Sequence, residues 1–253
     1  EIYTLSLHDA LPICLENSYF RGVAYVGGIC AYSNGTIENC YNAGTITAEY
    51  DYVGGLVANN FGSIVNCYNT GNITADDRTG GGVVAWNRSG GTIKNCYSTG
   101  TLTGGDMNGV VQDNDGTIKN CYYLSDSETD DFDGTTFKTA DQFASGEVAY
   151  LLNGSTPSDA NIFRQNLDNG EPTDATPVLD SAHDVVYEGT LCTSGTGYTN
   201  DEDSISEIHA WDDNGFCKNY PTHYQKPEEV NGVYQIANAG QLYWFAAYVN
   251  TYD

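Results

Sequence analysis

Four residues in the last quarter of the chain carry side chains that commonly bind zinc. Cys192, His209, Cys217 and His223 fall within 32 residues, in the spacing C-x16-H-x7-C-x5-H. Thiolate and imidazole are the usual ligands of structural zinc, and four of them complete a tetrahedral site. The two cysteines could instead form a disulfide, or all four side chains could stay unpaired. The spacing leaves these three alternatives open.

A second group of polar side chains recurs along the first half of the chain. An Asn, then Cys or Ser, then Tyr occurs five times: Asn17-Ser18-Tyr19, Asn39-Cys40-Tyr41, Asn66-Cys67-Tyr68, Asn95-Cys96-Tyr97 and Asn120-Cys121-Tyr122. Successive Ser or Cys positions are 22, 27, 29 and 25 residues apart. Self-similarity at such a period indicates a repeat architecture.

Short β-prone runs must position these boxes. Residues 53–59 align with residues 80–86, a Gly-Thr/Ser-Ile turn follows each block, and Gly and Asn at the corners permit positive φ. Three such runs per unit are too short to bury a core alone but can pair with the next turn about 4.8 Å away. Residues 14–124 contain no proline. The sequence predicts an all-β fold, a parallel β-helix or solenoid of about four to five rungs, followed by a small mixed α/β cap and linker.

Stacking gives each position of the box an expected role. Equivalent cysteines would lie about 4.8 Å apart, too far for a disulfide, so a column of buried free thiols is expected, with Ser18 in the same slot. A metal ladder is the less favoured alternative, because parallel ligands do not converge. The Asn residues are expected to form a corner ladder with left-handed backbone. The Tyr residues form either an outward aromatic stripe for sugars or protein, or a packed inner column, which the regular repeat favours.

The Gly-Gly-Leu-Val block with its downstream Asn-Cys-Tyr box resembles the GLUG-motif repeat of bacterial, clostridial-type surface and secreted proteins. This resemblance covers residues 14–124. The strings GEVAYLLN, RQNLDNG, PVLD and VVY look like the segment that often closes such arrays, which implies a cap over the last rung. The Cys/His segment resembles a linker that commonly carries Cys-x-x-Cys, and Tyr220 stands here in place of the second cysteine.

The sequence predicts five segments. Residues 1–13 resemble one translated frame of a sequencing adapter and are excluded from the fold. Residues 14–124 form the solenoid, and residues 125–190 the cap, with Thr139 as a helix N-cap and a second short helix at 147–152. Residues 191–229 form an acidic Cys/His linker. Residues 230–253 begin a further repeat domain with a strand and a helix, capped by Asn238, whose apolar stripe is expected to pack.

Charge limits the partners. The net charge is −25, and 23 acidic against 4 basic side chains lie in residues 125–253. This balance argues against nucleic acid or anionic membrane and suits an extracellular or cell-surface location. No apolar run is long enough for a membrane span. No cofactor is expected, with zinc or weakly bound calcium as the alternatives; the acidic turns do not fit the calcium-loop template.

No catalytic constellation stands out in the sequence. The His-Glu-x-x-His, Gly-x-Ser-x-Gly and phosphate-loop motifs do not occur. The sequence therefore predicts a non-catalytic structural or adhesin-like region, acting in attachment or spacing, with a host or environmental glycan or protein as partner. The alternatives are a fragment of a larger secreted enzyme, a peptidase or a polysaccharide-active protein, and a carbohydrate-binding module. The last would use the tyrosine column: Tyr19, Tyr41, Tyr68, Tyr97 and Tyr122.

Overall fold

The computed structural model describes residues 13–50, 52–75, 79–126, 134–167 and 173–251. The chain divides into two compact units, Glu1–Tyr187 and Glu188–Asp253. The adapter-like residues 1–12 lie outside the described residues, so their interpretation stays a prediction. Within the described part, no helix combines the length and the apolar character needed to cross a membrane.

The first unit is a parallel β-solenoid of about four turns, as the sequence predicts. Strand β1 (Cys14–Leu15) precedes the first full turn. The first turn is β2 (Tyr19–Gly22), β3 (Val26–Gly27), β4 (Cys30–Ser33), β5 (Thr36–Glu38) and β6 (Tyr41–Asn42). The second is β7 (Thr45–Ala48), β8 (Val53–Gly54), β9 (Val57–Asn60), β10 (Ser63–Val65) and β11 (Tyr68–Asn69). The third is β12 (Ile73–Ala75), β13 (Thr79–Gly81), β14 (Val84–Asn87), β15 (Thr92–Lys94) and β16 (Tyr97–Ser98). The fourth is β17 (Leu102–Thr103), β18 (Asp106–Asn108), β19 (Val111–Asn114), β20 (Thr117–Lys119) and β21 (Cys121–Leu124).

Each turn adds one strand to each of five parallel sheets. The prediction of three runs per turn is therefore wrong. The difference arises because the Gly-Gly pair and the Asn residue of the box each bend the chain, which divides longer runs into strands of two to four residues. Equivalent residues stay in register, as in Tyr41↔Tyr68↔Tyr97↔Tyr122.

The register corrects the alignment of the first box. Tyr19 pairs with Thr45, whereas Cys14 pairs with Tyr41. The Tyr41 N–H donates to the Ile13 carbonyl at 2.9 Å, so Ile13, and not Ser18, occupies the position before Cys40 in the cysteine column. The Ser18 carbonyl instead accepts from the Thr45 N–H at 2.8 Å, next to Gly44. The 22-residue step was five residues too short for a full turn, which was the sequence signal of this misalignment.

Differences in turn length are confined to corners. The pairs Asn60↔Asn87 and Asn87↔Asn114 are each 27 residues apart, but Ser63↔Thr92 is 29 and Thr92↔Thr117 is 25. The third turn thus holds two additional residues between β14 and β15. At this corner Gly90 has φ +86°, and no atom lies within 4 Å of the position that a Cβ on this residue would take.

The solenoid interior is apolar, and its turns touch through glycine at one corner. One core cluster includes Ile37, Leu56, Ile64, Val83 and Ile93 together with the repeated cysteines. Gly28, Gly55, Gly82 and Gly109 follow one another up this corner. A Cβ on Gly55 would lie 2.0 Å from the Gly82 carbonyl oxygen, so the spacing between turns requires glycine there.

The cap lies beside the turns rather than only over the last one. Strand β22 (Thr135–Lys138) does extend the tyrosine-bearing sheet beyond β21. Helices α1 (Ala140–Ala144) and α2 (Glu147–Leu152), with Phe163, pack against Tyr68, Tyr97 and Tyr122 of three successive turns. The predicted N-cap is confirmed, since Thr139 forms a reciprocal capping box with Gln142.

The second unit has little regular structure. Strands β23 (Tyr187–Thr190) and β24 (Thr196–Thr199) pair, as do β25 (Glu228–Val230) and β26 (Val233–Gln235), and helix α3 spans Ala239–Thr251. The Asn238 cap of α3 is confirmed by the Gln241 N–H, 2.8 Å from Asn238 Oδ1. The expected packing of its apolar stripe is wrong for Leu242 and Val249, which are exposed because no described segment covers them.

Candidate metal centre and repeated side-chain columns

Isolated backbone bridges bring the predicted zinc ligands together in the second unit. The Ile208 N–H donates to Thr190 O at 2.7 Å and the Cys192 N–H donates to Ile208 O at 2.9 Å, which places Cys192 beside the segment that carries His209. The Cys217 N–H donates to His223 O at 3.1 Å. Three segments distant in sequence therefore meet at one point.

The cluster has metal-binding geometry. Cys192 Sγ and Cys217 Sγ are 3.7 Å apart, and both thiols are free. One ligand atom from each of Cys192, His209 and Cys217 lies within 4.8 Å of the others, and the same holds for Glu207, His209 and His223. All four sequence-predicted ligands are thus in one cluster, with His209 common to both groups.

Glu207, which the sequence reasoning missed, lies between the two histidines. Its carboxylate is 3.8 Å from His209 Nε2 and 3.6 Å from His223 Nδ1. The available signal was its position two residues before His209, on alternate residues of one extended segment. Tyr220, at the place of the expected second cysteine, is exposed and stacks on His223 at 5.4 Å between ring centroids.

The protonation states suit metal binding at His209. Burial lowers the pKa of His209 below its ordinary value, which favours the neutral imidazole that binds metals. His209 Nδ1 is buried and has no hydrogen-bond partner among the described residues. Desolvation, together with the neighbouring Cys217 sulfur, raises the pKa of the Cys192 thiol. A bound cation would reverse this effect, since a coordinating thiol is deprotonated.

The repeated cysteines form a buried column. Cys40, Cys67, Cys96 and Cys121 are at most 1% exposed. Their thiols donate to carbonyls of the chain, as Cys67 Sγ does to Val65 O at 3.1 Å, and the Cys40 N–H approaches Cys67 Sγ at 3.4 Å. Each sulfur points inward from its own turn and packs with the apolar core.

We expect these buried thiols to resist alkylation in the folded protein. The thiolate is the reactive species, and burial raises the pKa of Cys30 to about 11 and that of Cys96 well above its ordinary value. Iodoacetamide at about pH 8 should modify exposed Cys14 rapidly, and Cys30 and Cys96 only after unfolding. Peptide mass spectrometry reads each site, with denatured protein as the control. Equal labelling rates for Cys14 and Cys96 in the native state would contradict the buried column.

Asparagine side chains bond from turn to turn in three ladders. Asn39, Asn66, Asn95 and Asn120 have φ between 51° and 55°, and their amides bond in series at 2.9–3.3 Å. Two further ladders were missed by the sequence reasoning. One joins Asn42 to Asn69 at 2.7 Å, and the other joins Asn60, Asn87 and Asn114 at 2.8 Å per step. Their signal was the recurrence of these Asn residues at 27-residue intervals, outside the Asn-Cys-Tyr box.

The tyrosine column is a packed column, not a surface stripe. The rings of Tyr41 and Tyr68 stack at 4.8 Å, and those of Tyr68 and Tyr97 at 4.9 Å. Phe143 and Phe163 cover Tyr97, and burial raises the pKa of Tyr122 to about 12. Tyr19 is exposed but lies outside the column. The hypothesis that these five tyrosines form one ligand-binding stripe is therefore wrong, because the cap occupies their outer face.

These features define a parallel β-solenoid repeat region. Residues 50–74, which span the second Gly-Gly block and its Asn-Cys-Tyr box, match the family model described as the GLUG motif. The chain therefore contains a GLUG repeat region. Comparison with curated proteins and with solved structures gave no match.

Proposed function

We propose that the solenoid unit is a non-catalytic structural region of a bacterial surface or secreted protein, which holds neighbouring parts of that protein at a fixed spacing or serves in attachment. The observation that carries this proposal is the use of the repeated side chains. The Asn, Cys and Tyr positions that recur in every turn are engaged in ladders, core and ring stack. Repetition in this chain builds a scaffold, as expected when a regular position serves packing.

Rigidity is the physical property that this role requires. Glu38 and Lys119 are exposed residues at equivalent positions of one sheet, three turns apart. Spin labels at E38C and K119C, in a background with C14S and C192S, should show one narrow distance distribution near about 14 Å between backbones. The same pair in a chain carrying G82A is the control, since that change is expected to disrupt the turns. A broad distribution without G82A would contradict a rigid spacer.

Location can be tested independently. Antibodies against the solenoid should bind intact cells of the source bacterium, and the complete gene should encode a route to the cell exterior. A gene product confined to the cell interior would refute the surface or secreted role. A catalytic domain in the same gene would instead favour the alternative of a larger secreted enzyme.

A second candidate function is attachment through an aromatic surface on a different face of the solenoid. Tyr25, Tyr52 and Trp86 are half-buried, and their ring centroids follow one another at 5.3 Å. The Arg88 guanidinium lies 3.1 Å from the Trp86 ring centroid. Partly exposed aromatic rings can stack on sugar rings.

A glycan array distinguishes this candidate from a spacer. Binding that is lost in W86A and retained in Y19A, an exposed tyrosine outside the cluster, would support attachment to a sugar. No binding to any glycan would favour the spacer.

A further inference from the structure

We propose that the unit of residues 188–253 binds one structural zinc ion. The ligands are Cys192, His209, Cys217 and His223, and Glu207 orients the two histidines. This site is independent of the spacer role of the solenoid.

The sulfur separation fits a shared ion better than a bond. Cys192 Sγ and Cys217 Sγ are 3.7 Å apart. A disulfide requires about 2.05 Å. Two thiolates at about 2.3 Å from one tetrahedral zinc lie about 3.8 Å apart. The observed distance is that of two ligands on one metal ion.

The histidine environment follows the pattern of a metal ligand with its supporting carboxylate. A ligating histidine usually directs its second ring nitrogen towards a carboxylate, which fixes the ring orientation. Glu207 is 3.8 Å from His209 Nε2, which leaves Nδ1 for the ion, and this nitrogen is buried without a hydrogen-bond partner in the described part of the chain. A polar atom buried in this way is costly unless something binds it.

His223 completes the set. Its ring lies edge-on to that of His209, with centroids 4.9 Å apart, and Glu207 faces its Nδ1 at 3.6 Å. The remaining nitrogen, Nε2, is therefore the one available to the ion. The His223 side chain is 39% exposed, so it can turn towards the site from the solvent side.

The composition of the unit gives an independent reason for a metal ion. The unit spans 66 residues. In its described part, Ile208, Cys217 and Pro227 are the buried apolar side chains, apart from glycines. Domains of this size with so small a core usually depend on disulfides or a metal ion. The two thiols here are free, so the ion is the cross-link that the fold offers.

Cobalt substitution in the full chain tests the site. The reduced protein, freed of metal by a chelator, should take up one Co²⁺ per chain, with the visible bands of tetrahedral cobalt and a thiolate charge-transfer band that zinc abolishes. C217S and H209A should lose these bands. The matched controls C14S and H183A, which change an exposed cysteine and a histidine of the first unit, should retain them.

Two further variants test the assigned roles without removing a cysteine. E207Q should retain the tetrahedral spectrum and weaken zinc binding by about 10-fold to 100-fold, as expected for a supporting carboxylate. H223A should alter the visible bands and weaken binding. If H223A binds with the spectrum and affinity of the parent chain, the assignment of His223 is wrong.

Hydrogen exchange locates the effect of the ion. Chelation should increase exchange in residues 190–217 and leave residues 53–98 unchanged. The proposal is overturned if the parent chain shows no tetrahedral cobalt spectrum. It is also overturned if peptide mapping shows a Cys192–Cys217 disulfide in protein whose second unit is folded without metal.

Discussion

Replacing Tyr97 by alanine should lower the free energy of unfolding of the solenoid unit by about 4 kcal/mol, as for other large-to-small changes of buried aromatic residues. Tyr97 is fully buried and its ring touches the solenoid and the cap at once. It stacks on Tyr68 at 4.9 Å and contacts Phe143 at 5.6 Å, and its hydroxyl donates to the Pro177 carbonyl. The substitution removes the ring stack and one attachment of the cap.

Hydrogen exchange in peptides from residues 84–98, measured against denaturant concentration, reads this unit separately from the second one. Y97F keeps the ring and loses one hydrogen bond, so it should cost about 1 kcal/mol. The exposed control Y19A should change the free energy of unfolding by less than about 0.5 kcal/mol. A loss below about 1 kcal/mol in Y97A would show that the cap is not anchored at this ring.

The second large effect is expected for G82A, which should destabilise the solenoid by about 3 kcal/mol or more. A Cβ at residue 82 would lie 2.0 Å from the Gly109 carbonyl oxygen and 2.5 Å from Ser98 Oγ. The nearest neighbour is backbone of the next turn, already held by the ladder, so it cannot withdraw without separating the turns.

The matched change is G90A at the corner between β14 and β15. No atom lies within 4 Å of that added methyl group, so its cost should be the positive φ alone, about 1 kcal/mol. Circular dichroism and chemical denaturation compare the two variants. Equal stability of G82A and G90A would contradict the close contact between turns.

The sequence was sufficient for the solenoid because its signal is repeated. Cys67, Cys96 and Cys121 recur in equivalent contexts, and only stacking explains such recurrence in strands too short to bury a core. The left-handed Asn ladder followed from the same argument, since Asn tolerates positive φ at a corner.

What the sequence could not provide came from contacts between distant segments. The cap covers the tyrosines through Phe143 and Phe163, which lie outside the repeat and carry no periodic signal. The metal cluster was visible as ligand types, but the convergence of Cys192 with His209 depends on single backbone bridges that no local pattern specifies. The first turn was misaligned because one local Asn-Ser-Tyr string mimicked the box.

The corner at residues 88–91 shows how a ladder protein can change length. Two additional residues are accommodated there while Asn87 still bonds to Asn60 and Asn114, so the amide series is undisturbed by the extra chain. Elsewhere in a turn, a single inserted residue would reverse which side chains face inward and leave buried amides without partners. Grafted peptides or epitopes therefore belong at this corner, where new sequence can be displayed without re-threading the coil.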